Sequence, residues 1–164
     1  TGTGRMLTLL GPKAKTALGL DLSGQMLNIA RTNVARAGLG ACELRHGDIL
    51  NAGLPDGEAD LVVVHQVLHY LGEPAAAVTE AARLVERDGA LLIVDFAPHD
   101  LEFLRDEHRH RRLGFFDDEM ERWLAAAGLG EVSAQTLPPE SAGGLTVKVW
   151  RARRAAAARL RKIA

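Results

Sequence analysis

The chain opens on Thr1-Gly2-Thr3-Gly4, followed by Arg5-Met6-Leu7, and an apolar stretch, Ala17-Leu18-Gly19-Leu20, ends on Asp21. Two glycines with one residue between them let backbone come close to a ligand, because no Cβ intervenes. A helix beginning near Arg5 would aim its first N–H groups at that ligand. Asp21 stands 17 residues beyond Gly4, near the spacing at which a strand–helix–strand unit brings a carboxylate to ribose hydroxyls. The pattern is a nucleoside-binding half-site. A dinucleotide fingerprint would need Gly or Ala three residues after the second glycine, and Leu7 holds that position. Taken alone, the glycine pair also fits an ordinary strand-to-helix turn.

Further polar residues fall where strands should end. Asp48 follows Gly47, His65 and Gln66 follow Leu61-Val62-Val63-Val64, and Asp95 and His99 follow Ala90 to Val94. Open α/β sheets place ligands at the carboxyl ends of their strands. His65, His69 and His99 are candidates for the substrate side, with His69 or His99 as general base; for each, a structural histidine is the alternative. His99, His108 and His110 with Asp100 and Glu107 do not match a metal-ligand spacing. A solvated, charged helix accounts for them, and no metal is expected.

These residues need a frame. Leu7, Leu9, Leu10 and Ala14 are expected to face a sheet from a first helix that Gly11-Pro12 stops or bends. Thr16 to Leu20 and Ala41 to His46 read as short strands. Between them, Ser23 caps a helix with Met26, Ile29, Ala30, Asn33 and Ala37 on its stripe, ended by Gly38 and Gly40. Residues 51–58 form a loop by their Gly, Pro, Asn and Asp content. Leu61 to Val64 is apolar without alternation, as an interior parallel strand covered on both faces should be. Pro74 opens a helix with Val78, Ala81, Ala82 and Val85 on one face, and Gly89 resets the chain into a strand ending at Asp95. Leu101 to Arg112 reads as a charged helix, and Asp117 or Asp118 as the cap of another that buries Met120, Trp123, Leu124 and Ala127. Trp123 and Phe103 read as core. Glu131 to Leu137 and Leu145 to Trp150 read as a closing antiparallel pair. The alternation of strand and helix predicts a doubly wound, mostly parallel α/β sheet with an antiparallel strand near one edge.

The 164 residues suit one domain, with 47% hydrophobic and 25% charged residues. No apolar run reaches the roughly 18 residues of a membrane span and no signal-peptide pattern is present, so cytoplasm is the expected compartment. The single Cys42 excludes an internal disulfide and a multi-thiolate site, and with it arsenite as a substrate. Net charge is −1, but Arg151, Arg153, Arg154, Arg159, Arg161 and Lys162 crowd the last fourteen residues without an acid. Removing these six of the 20 basic residues leaves 14 against 21 acidic ones, a net of −7. A solvated Ala/Arg-rich tail is the expectation for residues 151–164, and nucleic-acid contact is not.

The series Gly2-x-Gly4, Asp21, Gly47-Asp48, Ala59-Asp60-Leu-Val-Val-Val64, Val67-Leu68-His69-Tyr70-Leu71 and Arg83-Leu84-Val85…Gly89 resembles a class I S-adenosylmethionine-dependent methyltransferase over residues 1 to about 150. The resemblance implies a Rossmann-like fold with S-adenosylmethionine as cofactor. In that family the glycine-rich turn, here Gly2, Thr3 and Gly4, passes the methionine moiety. The acid at Asp21 holds the ribose hydroxyls, and Asp48 meets the adenine amino group between apolar walls at Leu22 and Ile49. Met26, His65 and Gln66 complete the expected cofactor set. The segment from His108 to Leu129 is similar to the methyltransferase half of bacterial fusions with an ArsR-type winged helix, which makes a fused or upstream winged-helix domain a possible partner. Three departures stand out: the first strand and its acid are missing, the common Lys-Pro-Gly-Gly turn reads Glu86-Arg87-Asp88-Gly89, and a frequent Ser cap is Phe116.

The expected function is methyl transfer to a small-molecule acceptor, by in-line displacement at the sulfonium methyl. The alternative is a non-catalytic domain that senses S-adenosylmethionine or S-adenosylhomocysteine for a regulator. An NAD(P) dehydrogenase is disfavoured by Leu7 and Asp48. Residues 1–150 are expected to form the methyltransferase domain, N-terminally incomplete. In the family arrangement the missing strand separates the strand at residues 16–20 from that at 61–64. Without it, residues 1–164 alone are expected to be molten or aggregated and to bind S-adenosylmethionine poorly, because several unpaired buried groups at about 1–3 kcal/mol each rival the stability of a domain.

Overall fold

A computed structural model describes residues 1–139, 141 and 143–154. The chain divides into two compact units, residues 1–53 and residues 54 onward.

In the first unit, helix α1 (Arg5–Leu10) runs into a 3-10 turn at Gly11–Lys13, so Gly11-Pro12 tightens the helix before ending it. Strands β1 (Ala17–Asp21) and β2 (Cys42–His46) pair in parallel from Ala17 opposite Cys42 to Asp21 opposite His46, and α2 (Gly24–Arg36) connects them. The Ser23 hydroxyl accepts the Met26 N–H and caps α2, as its sequence position predicts. The buried face of α2 is Leu27, Ala30 and Val34, while Met26 and Ile29 are exposed. Of the predicted stripe Ala30 is buried as expected, while Met26 and Ile29 give way to Leu27 and Val34, one residue round the helix; both sets have helical spacing, and only tertiary packing chooses between them. Leu7 is buried from α1, whereas Leu9 and Ala14 are exposed.

In the second unit, β3 (Ala59–His65), β4 (Val85–Phe96), β5 (Gly130–Leu137) and β6 (Val147–Arg153) form one sheet in the order β3-β4-β6-β5. β3 and β4 are parallel, and β6 runs antiparallel to both β4 and β5. Its core is Val64, Leu91, Ile93 and Trp150 from the sheet, Ala77, Val78, Ala81 and Ala82 from helix α3 (Pro74–Leu84), and Met120 and Leu124 from helix α5 (Asp117–Ala126). Among the described residues β3 pairs only with β4, and Leu61 is 43% exposed. This corrects the expectation of an interior strand. An unalternating apolar run signals cover on the two faces, not which strands flank its edges.

Other boundaries move for local reasons. Val85 begins β4 instead of closing α3. The turn read at Glu86–Gly89 lies within that strand, and Asp88 adopts φ 64°, a left-handed conformation that Asp tolerates better than most residues. The charged helix shrinks to α4 (Phe103–His108), ended by Arg109 at φ 59°; Phe103 is half exposed, not core. Asp117 and Asp118 do not cap α5, because Phe116 occupies the cap. Asp117 instead accepts the Trp150 Nε1–H at 2.7 Å and pairs with Lys148, tying α5 to β6. β6 continues through Arg151–Arg153, three residues into the stretch read as a tail, and residues 155–164 lie outside those described. No helix among the described residues is long and apolar enough to cross a membrane.

Candidate functional site

The first unit builds its site around Asp21. Gly2 and Gly4 have φ 57° and 81°, which a residue with a Cβ rarely adopts. Gly4 also starts α1 against α2, where an added Cβ would sit 3.2 Å from that of Ala30. The Asp21 Oδ2 accepts the Gly2 N–H at 2.6 Å, and its Oδ1 accepts the Ser23 N–H at 2.8 Å. The Thr1 nitrogen reaches Asp21 Oδ2 at 3.1 Å and the Leu20 carbonyl at 2.6 Å. Burial opposes the charge on Asp21, yet the N–H donors of Ser23 and Gly2 outweigh it and hold the carboxyl below its ordinary pKa. A carboxylate offers about four lone-pair positions, so Oδ1 can still accept from a ligand hydroxyl.

Thr3 is held through its carbonyl, which accepts from Asn33 Nδ2 at 2.9 Å. In the sequence Asn33 reads only as part of a helical stripe; a polar residue on that stripe is the available signal. The ends of β1 and β2 are tied by the Gly47 N–H to the Asp21 carbonyl (3.1 Å) and by His46 Nε2 at 3.0 Å from the Leu22 carbonyl. Asp48 Oδ1 accepts the Leu50 N–H and holds the following turn. Leu22 and Met26 are 58% and 39% exposed, and Ile49 is half-buried.

Leu7 fits where the dinucleotide pattern wants Gly or Ala because the small residue is on the strand. A Cβ on Gly19 would come within 2.7 Å of Leu7 Cδ1 and 2.9 Å of Leu44 Cδ2. Close helix–strand packing is kept with the partners exchanged.

The second unit gathers a different set. His69 lies in the 3-10 turn Leu68–Tyr70, buried, with Nδ1 2.7 Å from Asp95 Oδ1. Asp95, fully buried at the end of β4, also accepts the Leu68 and Phe96 N–H groups at 3.0 and 2.9 Å. A carboxylate only accepts, so His69 Nδ1 carries the proton and, in the neutral ring, Nε2 is the basic nitrogen. His110, missed by the sequence reading, is 7% exposed, and its ring stands 4.3 Å from that of His69 and stacks on Phe96 at 5.7 Å. Its charged neighbourhood reads as a solvated helix; because α4 stops at Arg109, the chain turns back, and the His110 N–H donates to the Leu104 carbonyl. The Arg111 and Arg112 N–H groups then donate to the His69 carbonyl.

His99 is half-buried, its ring 6.2 Å from Phe96, and Nδ1 accepts the Leu101 N–H at 3.3 Å. His99 Nε2 and His110 Nδ1 are buried and have no hydrogen-bond partner among the described residues. Burial pushes both rings below the usual histidine pKa; neighbouring histidines reinforce it at His110, while at His99 Asp100 opposes it. His65 is exposed at the end of β3, and Gln66 follows at φ 54° with its N–H on the Val94 carbonyl. Among the described residues, no group of three or more His, Cys, Asp or Glu side chains is placed to hold a metal ion.

Parallel strand pairs joined by helices, with polar groups at the strand ends, are the pattern of a Rossmann-like fold. The chain belongs to the methyltransferase domain family, whose model matches residues 1–93. It is 34% identical over 151 residues to the phosphatidylethanolamine N-methyltransferase of Cereibacter sphaeroides, covering 88% of this chain and 72% of that protein. It is 23% identical over 146 residues to the uncharacterized methyltransferase YcgJ of Bacillus subtilis (strain 168), covering 83% of this chain and only 56% of YcgJ. The structure of Haemonchus contortus phospholethanolamine N-methyltransferase 2, solved with phosphomonomethylethanolamine and S-adenosylhomocysteine, matches with TM-score 0.78 at 11% identity, covering 94% of this chain and 47% of that one.

Proposed function

We propose that the protein transfers a methyl group from S-adenosylmethionine to a small-molecule acceptor. The observation that carries this reading is the latch of Asp21 on the Gly2 N–H, which presents bare backbone and a charged acceptor together. The donor set fits the group. A Cβ at Gly2 would meet nothing within 4 Å, so the turn faces open space, and Asp21 retains capacity for a hydroxyl. Gly2, Thr3 and Gly4 would hold the methionine part, Asp21 the ribose, and Asp48 the adenine amino group, with Leu22, Met26 and Ile49 as apolar walls. When bound, S-adenosylmethionine supplies an electrophilic methyl whose carbon–sulfur bond breaks with its electron pair left on sulfur.

The remaining task is to orient the acceptor and remove its proton. We assign the base to His69, with Asp95 as the residue that positions it. His99 has its Nδ1 engaged as an acceptor and so presents a donor at Nε2, which suits binding better than proton removal. A winged-helix regulatory partner, upstream of or fused to the domain, stays part of the proposal on the sequence resemblance of residues 108–129 alone. The test is turnover of methyl-labelled donor by the full-length protein with a broad acceptor panel. Labelled product is expected; donor binding with no transfer to any acceptor would favour a sensing role instead.

A further inference from the structure

The corner that leaves β1 carries an acid and an apolar residue of the proposed nucleoside site, Asp21 and Leu22, at consecutive positions. The parallel ladder ends with Asp21 opposite His46, and the chain turns at Leu22 into the Ser23 cap of α2. Three hydrogen bonds fix that corner. The Gly47 N–H donates to the Asp21 carbonyl at 3.1 Å, and the Ser23 N–H donates to Asp21 Oδ1 at 2.8 Å. His46 Nε2 stands 3.0 Å from the Leu22 carbonyl. A carbonyl only accepts, so this nitrogen carries the proton and donates. The imidazole thus reaches one residue past the ladder and ties down a carbonyl at the turn.

Leu22 shows what the bond is for. It stands just before the cap, where an apolar side chain often packs on the fourth helical residue and so fixes the angle at which the chain enters the helix. That fourth residue is Leu27, 1% exposed, yet Leu22 keeps 58% of its surface exposed. The entry is held through polar bonds to the backbone instead, and the Leu22 side chain stays available. An acid and an apolar wall on neighbouring residues serve one ligand only while the backbone at the corner keeps its course. Holding the wall in place beforehand removes its ordering cost from binding.

We infer that His46 is a positioning residue of the nucleoside site: through the Leu22 carbonyl it holds the Leu22 side chain beside the Asp21 carboxylate as the wall for a purine base. This rests on the methyltransferase reading and adds to it a residue that acts without touching the ligand. His46 is itself exposed, so replacing it should cost the fold little.

The test is calorimetry of the full-length protein with S-adenosylhomocysteine. His46→Leu removes the donor and should weaken binding about 3- to 10-fold, the worth of one hydrogen bond. His46→Gln keeps an amide that can donate to the same carbonyl and should restore affinity to within about twofold of the wild type. In a Leu22→Ala background no wall is left to position, and His46→Leu should then cost less than about twofold. No loss in His46→Leu, equal losses in His46→Leu and His46→Gln, or an undiminished loss in the Leu22→Ala background overturns the inference. Should His46→Leu fail to fold, the wild type with 15N-labelled histidine decides. The proton is expected on His46 Nε2 with and without ligand, exchanging more slowly with water once the ligand covers the corner. A proton on Nδ1, or exchange that the ligand leaves unchanged, overturns the inference. A wild type that does not bind S-adenosylhomocysteine sinks the methyltransferase reading and His46 with it, whereas binding without these differences sinks His46 alone.

Discussion

At the residue scale, the histidine cluster makes a pH prediction. His99 and His110 have folded-state pKa values below the ordinary 6.5, because burial disfavours their charged forms, and His65 shifts the same way. The unfolded chain therefore binds more protons than the folded one just below pH 6.5, and stability rises with pH there. The contribution is complete above 6.5 and is lost as pH falls through the folded values. The unfolding midpoint should drop between pH 7 and 5.5, and His110→Phe should flatten that slope. A midpoint that stays level or rises on acidification contradicts it. Asp21 and Asp117 are lowered from 3.8, so their contributions disappear only in stronger acid and do not confuse this window. For the cofactor side, Asp48→Ala should weaken S-adenosylmethionine binding less than Asp21→Ala, since one adenine contact is at stake against a charge-assisted bond to ribose; calorimetry on both variants decides it.

At the scale of elements, two glycines separate cheap from costly crowding. A Cβ on Gly19 would meet Thr1 Oγ1 at 2.6 Å and the ends of the flexible Leu7 and Leu44 side chains, all side-chain atoms that can shift. One on Gly114 would sit 2.1 Å from the Ala97 carbonyl oxygen at φ 85°, where backbone must move. There the Phe115 N–H donates to Phe96 and the His99 N–H to Leu113, so Gly114 lets two chain segments run side by side. Gly114→Ala should destabilise by about 2 kcal/mol or more, roughly 4–8 °C in Tm, and Gly19→Ala by less. Equal melting shifts would contradict this difference.

The elements also show what was legible in the sequence. Strand and helix order, the Ser23 cap and the antiparallel partner of β5 follow from local patterns, because periodicity and capping are local physics. The choice of Leu27 over Met26 as the buried neighbour, the edge position of β3 and the return of His110 into the core depend on tertiary packing. No spacing rule carries that information. The ribose role proposed for Asp21 rests on sequence spacing; that its carboxylate holds the Gly2 and Ser23 N–H groups needs coordinates.

At the scale of the whole molecule, the central claim is that the glycine turn and Asp21 bind S-adenosylmethionine. The most direct measurement is a calorimetric titration of the full-length protein and its Asp21→Ala variant with that compound. Saturable binding by the wild type is predicted. The variant should bind about 1.5–3 kcal/mol more weakly, roughly 10- to 150-fold, through loss of a charge-assisted hydrogen bond. Circular dichroism should show the variant still folded. An unchanged affinity in Asp21→Ala, or no binding by the wild type, would contradict the account.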